Sequence, residues 1–206
     1  MLITFLIFSG LLNAQEFKIE EKTITGLFES KEKNKAELFA QINKWISINY
    51  NSSKNVIQMN DLESGTIIIK GINDVNYKNS GKVLNPKIAT EFATIKFNHL
   101  IEINIKDNKY RIIYRIVSIA TDDYGYNDKL MNCINLNGNR DIQIQKYLDG
   151  MDKMLKKGLI GKEKRELYVE GIKLSFEEIN TNLINDMKSI MLSVEKSVSN
   201  ASKDGW

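Results

Sequence analysis

The sequence predicts an α+β fold: an antiparallel sheet with helices on one face, ordered strand, helix, four strands, an insertion and a final helix. Three observations predict it. Residues 94–120 alternate apolar and polar about a short polar turn, residues 56–71 repeat that pattern, and two segments carry apolar residues at helical spacing behind capping signals.

Taken in order, "EFKIEEKTITG" mixes β-branched and aromatic residues and reads as one strand near 16–25. In "NKAELFAQINKWISINY", Asn34 and Glu37 have capping-box spacing, in which each side chain takes an otherwise unpaired backbone N–H. Leu38, Phe39, Ile42, Trp45 and Ile46 then share one helical face. The stretch "VIQMNDLESGTIIIKG" has strand-like residues 56–60 and 66–70 about the loop Glu63-Ser64-Gly65, with Gly65 at the position needing a positive φ. That register places Ile57, Met59, Ile67 and Ile69 on one face. Asp61 and Glu63 are too few oxygen ligands for a metal loop, and a phosphate loop would open a helix rather than a strand. The stretch is a turn.

In "TIKFNHLIEINIKDNKYRIIYRIVSIA", a two-residue turn at Asp107-Asn108 sets Ile105 opposite Tyr110, Ile103 opposite Ile112, Ile101 opposite Tyr114 and His99 opposite Ile116. The other face then holds Lys96, Asn98, Glu102, Asn104, Arg111 and Arg115, with Leu100 and Ile113 among them. One face is a core wall and the other faces water, as antiparallel sheets allow. Residues 73–93, which include the sole proline, Pro86, read as a long connection. After residue 120 the pattern loosens. "TDDYGYNDKLMNCINLNGNRD" reads as loop, and Ile144, Leu148, Met151 and Leu155 as a weak helix interrupted by Gly150. Ser175 and Glu178 have capping-box spacing before the stripe Phe176, Ile179, Leu183, Met187, Ile190, Val194 and Val198, which predicts a C-terminal helix.

The start, "MLITFLIFSGLLNAQ", is uncharged through residue 14 and too short for a bilayer span, which takes ~20 residues. It reads as a signal peptide, residues 1–14, cut before Gln15, although no Lys or Arg precedes the apolar run. The expected mature chain is a single domain, 15–206, with an insertion at 121–174, no transmembrane segment and a periplasmic or secreted location. Cys133, the only cysteine, cannot form an intramolecular disulfide, and no cysteine follows the cut to carry a lipid anchor. With 29 basic and 26 acidic residues and a net charge of +3, nothing marks a nucleic-acid binder, which needs a concentrated basic stripe.

The signal ending "LLNAQ", the helix "ELFAQINKWI", the hairpin "VIQMNDLESGTIIIKG" and the "KDNKYR" turn resemble a family of exported bacterial proteins of unknown function with a TATA-box-binding-protein-like (TBP-like) fold. The resemblance covers roughly residues 1–120, with Asn108 where glycine is usual. It implies the TBP-like fold and an exported location, and it implies no activity. The fold name does not imply DNA binding, because function resides in sites.

Each candidate for chemistry has an ordinary structural reading. His99, the only histidine, falls on the apolar face and reads as a core imidazole with a hydrogen-bond partner; a nucleophilic dyad would need Cys133 beside it. Asp122, Asp123 and Asp128 suit a hard cation, but at spacings that also describe a solvated loop. Glu102, Arg111 and Arg115 read as a surface ion network worth at most ~1 kcal/mol per pair, or as a contact surface for an anion or peptide. No nucleophile motif, metal cluster or phosphate loop stands out, so no cofactor and no catalytic residue is assigned. The expected function is a non-enzymatic binding or envelope-assembly module whose partner is an envelope protein or an anionic ligand. The alternatives are a hydrolase with its site between insertion and sheet, and a helix-grip carrier of a small apolar ligand.

Overall fold

A computed structural model of the chain describes residues 16–50, 52–120, 127–138, 141–158 and 160–200. Its sheet is antiparallel and six-stranded among those residues, in the order β1-β2-β6-β5-β4-β3. The strands are β1 (Phe17–Ile19), β2 (Thr23–Glu29), β3 (Ile57–Asp61), β4 (Thr66–Lys78), β5 (Phe92–Lys106) and β6 (Lys109–Ile119). The helices are α1 (Lys35–Asn49), α2 (Ser53–Val56), α3 (Gly81–Leu84), α4 (Asn127–Asn132), α5 (Asp141–Lys156) and α6 (Lys162–Asn200). The fold class is α+β, and no described helix is long and apolar enough to cross a membrane.

The β5–β6 hairpin has the expected register: Ile105 pairs with Tyr110, Ile103 with Ile112, Ile101 with Tyr114 and His99 with Ile116. Asn108 takes the left-handed conformation, φ 63°, which asparagine tolerates better than most residues. Asp107 has a different task, its Oδ1 accepting from the Lys35 N–H at the start of α1 (2.7 Å). The predicted capping box forms there too, with Glu37 N–H donating to Asn34 Oδ1 (3.0 Å) and Asn34 N–H to Glu37 Oε2 (2.8 Å). Leu38, Ile42, Trp45 and Ile46 are buried from α1, and Phe176, Ile179, Leu183, Met187, Met191, Val194 and Val198 from α6. At ~1.5 Å per residue, α6 is about 58 Å long and packs on α1, α3, α5, β2 and β4.

The sequence reading needs correction in several places. The first strand is two, because Glu20, Glu21 and Lys22 turn the chain tightly enough for Glu20 N–H to donate to Thr23 O (2.8 Å). The β3–β4 loop spans 62–65 rather than 63–65, and a bulge between Ile57 and Met59 turns Met59 to the far face opposite Ile68, where it is 38 % exposed. Gly65 does have φ +69°, and it lies against β5, where a Cβ would meet Ile105 O at 2.4 Å. The expected long connection at 73–93 is mostly strand, since β4 runs to Lys78 and β5 starts at Phe92. Its polar residues looked like loop because alternate ones point to water, while Asn73 and Val75 are buried.

Beyond residue 120, the supposed loop contains α4 and the buried residues Met131, Cys133, Ile134 and Leu136. Helix α5 continues through Gly150, around which there is open space. Ser175 and Glu178 cap nothing, because α6 starts thirteen positions before Ser175. They hold the end of β4 instead: Glu178 Oε2 accepts from Lys78 N–H (2.7 Å), and Ser175 Oγ lies 2.8 Å from the carbonyls of Lys78 and Gly171. The span 121–174 therefore adds helices α4 and α5 and the first part of α6 to the same core. The signal-peptide expectation falls outside the described residues.

Trp45 joins α1 to α6. It is 4 % exposed, its Nε1 donates to Ser193 Oγ (3.1 Å), and its ring meets Tyr50 edge-on at 5.9 Å. Truncating such a residue leaves a cavity and typically costs ~3–5 kcal/mol. Trp45→Ala is expected to lower the unfolding free energy by that amount in a urea titration, with an unchanged m-value.

Candidate functional site

Alternation along β2, β6, β5 and β4 puts one set of side chains under the helices and the other on the opposite face, where every residue is exposed or half-buried. The register arranges that open face in rows across the strands. The first is Leu27, Arg111, Asn104, Thr66 and Asp61; the second Thr25, Ile113, Glu102, Ile68 and Met59; the third Thr23, Arg115, Leu100 and Lys70. Charges and apolar residues thus interleave, and Leu100 sits between two cations.

The expected Arg–Glu network takes a different form. Arg111 Nη2 and Nε donate to Asn104 Oδ1 (2.7 and 3.2 Å), and Asn104 Nδ2 donates to Glu102 Oε1 (2.9 Å). Asn104 therefore relays between Arg111 and Glu102, which make no direct ion pair. The amide fits the cross-strand gap because it can accept from one neighbour and donate to the other. Arg115 has no ion pair among the described residues, so its guanidinium is free for a partner.

Past the third row the ladder shifts between Asn98 and His99, leaving Val117 unpaired on the open face, 50 % exposed, with Ser118 beside it on the same side. A groove of about 710 Å³ opens there, with Tyr50, Val56, Ile72, Leu100 and Val117 as apolar walls, Lys70 at the rim, and Gly71 and His99 among its lining residues. It adjoins a free edge, because β3 pairs with β4 only at Thr66–Ile69. The sequence reading missed this groove. Two signals mark it: a glycine inside a strand, which often means close approach of another group, and the break of alternation at Val117-Ser118.

His99 is buried as expected, at 3 % exposure, but the expected hydrogen-bond partner is absent among the described residues for both ring nitrogens. Its Nε2 lies 2.5 Å from where a Cβ on Gly71 would be, and its ring is 4.7 Å from that of Tyr114. Tyr114 Oη donates to Asn73 Oδ1 (2.8 Å), leaving Asn73 Nδ2 unpartnered. Burial lowers the His99 pKa from 6.5 to about 4 and raises that of Tyr50 to about 12. Cys133 lies elsewhere, with Sγ 3.7 Å from Gln143 O, and burial raises its thiol to about 11. It is protonated at neutral pH and is not a nucleophile as it stands. Asp122, Asp123 and the side chain of Asp128 lie outside the described residues, among which no His/Cys/Asp/Glu cluster could hold a metal ion.

Residues 25–118, from β2 to β6, match the sequence model of a domain of unknown function (DUF4468) with TBP-like fold. A DUF4468 family protein from Bacteroides ovatus superposes with a TM-score of 0.53 at 14% identity, over 91% of each chain. A TBP-like protein from Parabacteroides distasonis gives a TM-score of 0.47 at 14% identity, over 86% of this chain and 92% of its own. No curated protein matches the chain.

Burial of a neutral His99 makes folding pH-dependent. Above pH 6.5 neither state binds the proton, so the full stability is present. As pH falls from 6.5 to about 4, only the unfolded chain binds it, and stability is lost. Asp186, raised by burial, opposes this trend, so the His99 contribution is read against a variant. Between pH 7 and 4.5 the parent is expected to lose ~2–3 kcal/mol more than His99→Phe in urea titrations.

Proposed function

Taking the DUF4468 domain of residues 25–118 as the premise, we propose that this is an exported, non-enzymatic binding module whose open sheet face recognises an anionic protein of the cell envelope. The observation that carries the reading is the uncovered row Arg115, Leu100 and Lys70, in which an arginine without an ion pair adjoins an apolar residue and a lysine. Arginine presents a planar fork suited to carboxylates, and interfaces favour it at their centres. Ile113 and Ile68 add apolar area beside it, and Glu102 and Asn104 orient Arg111. Glu102 and the Asp74–Lys96 pair (3.1 Å) interrupt the positive charge, which suits a protein surface with mixed charge better than a phosphodiester chain.

The hydrolase alternative gains no support from the residues that would carry it. Cys133 and His99 have separate surroundings, burial keeps the Cys133 thiol protonated at neutral pH, and the same effect makes the His99 imidazole a weak base.

Replacing Arg111 and Arg115 together by serine tests the proposal. Exposed charges add little to stability, so the unfolding free energy is expected to change by no more than ~1 kcal/mol. Pull-downs from envelope extract, parent and variant side by side and quantified by mass spectrometry, are expected to lose the parent's partner. A retained partner overturns the reading, and a collapse in stability means that the face is covered.

A further inference from the structure

We propose that the open sheet face of one molecule receives the outer stripe of α6 from a second copy of the chain, so that copies join head to tail. This names the occupant of the recognition face described above and rests on that reading of the face.

Helix α6 shows water a stripe of its own. Its core residues Ile172, Phe176, Ile179 and Leu183 are buried, whereas Glu163, Leu167, Glu170, Leu174 and Glu177 are all exposed. At ~100° per residue, these five lie within about 80° of one another round the helix. The glutamates recur every seven residues, and the leucines stand between them at the same interval. Leu167 is 57 % exposed and Leu174 54 %, so carboxylates and apolar surface alternate along the stripe. The glutamates that have partners are others: Glu166 meets Lys162 (3.8 Å) and Glu178 accepts from Lys78 N–H. Glu163, Glu170 and Glu177 have no ion pair among the described residues.

Spacing selects this occupant. Arg115, Leu100 and Lys70 are neighbours across β6, β5 and β4. Strands lie ~4.8 Å apart, so the two cations are separated by ~9.6 Å with an apolar residue midway. Helix residues seven apart are ~10.5 Å apart, with the fourth residue on between them. An extended peptide offers same-face residues at ~6.8 or ~13.6 Å, and neither matches. Laid across the strands, α6 sets Glu163 and Glu170, or Glu170 and Glu177, over the two cations, with Leu167 or Leu174 on Leu100.

The contact cannot form within one chain, because the stripe lies outside the helix layer and the open face lies on the far side of the sheet. For the same reason one partner cannot return the contact, and each pair leaves one surface of each kind free. The stripe is small beside the ~20–30 residues per side of a stable interface, so the contact is weak and reversible.

Sedimentation velocity of the full chain in low salt, over a concentration series, tests this. The parent is expected to associate reversibly and to continue beyond the dimer. Glu170→Arg, which strikes both registers, and Arg115→Glu are each expected to weaken association roughly tenfold or more, since like charges then meet. An equimolar mixture of the two variants is expected to associate again, because the native stripe of one meets the native face of the other. That rescue also shows both variants folded. A parent that stays monomeric, a Glu170→Arg variant that associates like the parent, or a mixture no stronger than its components each overturns the proposal. The recognition face is judged separately: a monomeric parent whose capture of an envelope protein still depends on Arg111 and Arg115 loses only the second copy as occupant.

Discussion

Everything in this domain depends on how the Asp107-Asn108 turn is held. Its two residues set the register of β5 and β6, and a shift of one residue would send each buried isoleucine of the hairpin to the water side. The turn is anchored as well as formed. Ser30 N–H donates to Asn108 O, Asn108 N–H to Lys33 O, and Lys35 N–H to Asp107 Oδ1, so the hairpin tip and the start of α1 are one structure. Lys35 Nζ also donates to Glu63 O (2.9 Å) in the β3–β4 turn. The segment entering α1 therefore fixes both hairpins at the same end of the sheet.

The asymmetry of the sheet follows. With the hairpin register set, Ile101, Ile103, Ile112 and Tyr114 face the helices, and α1 and α6 cover them. Lys33 Nζ donates to Val198 O, bringing the C-terminal end of α6 to the same tip. At the opposite end, Glu178, Ser175 and Asn182 bond to the backbone of β4 at Lys78 and Asn76. Helix α6 is thus tied to the sheet at mid-helix and near its C-terminal end, and beyond Ile69 the outer edge of β4 has no paired strand among the described residues.

Much of this was legible in the sequence where local chemistry and tertiary context agree. The register about Asp107-Asn108, the Asn34–Glu37 cap and the α1 stripe needed only alternation, capping geometry and helical periodicity. The reading failed where context overrides local pattern. Ser175 and Glu178 have the spacing of a cap, but neighbouring β4 offered them other partners. The polar second half of β4 looked like a loop because half of its residues face water. Of the candidate site, Glu102, Arg111 and Arg115 were placed correctly on the open face, but the relay through Asn104 depends on distances across strands that no spacing rule supplies. The groove depends on a bulge and on an absent side chain at Gly71, both of which leave only faint traces in a single sequence.

Among the described residues, nothing covers the sheet face opposite the helices. Solvent paramagnetic relaxation of methyl groups, with a neutral gadolinium chelate in solution, tests this directly. An open face gives strong relaxation for the methyls of Leu27, Ile72 and Val117, and protection for those of Ile24, Ile67 and Ile101. Equal protection of both sets would mean that another part of the chain covers this face, and the face would not be open for recognition.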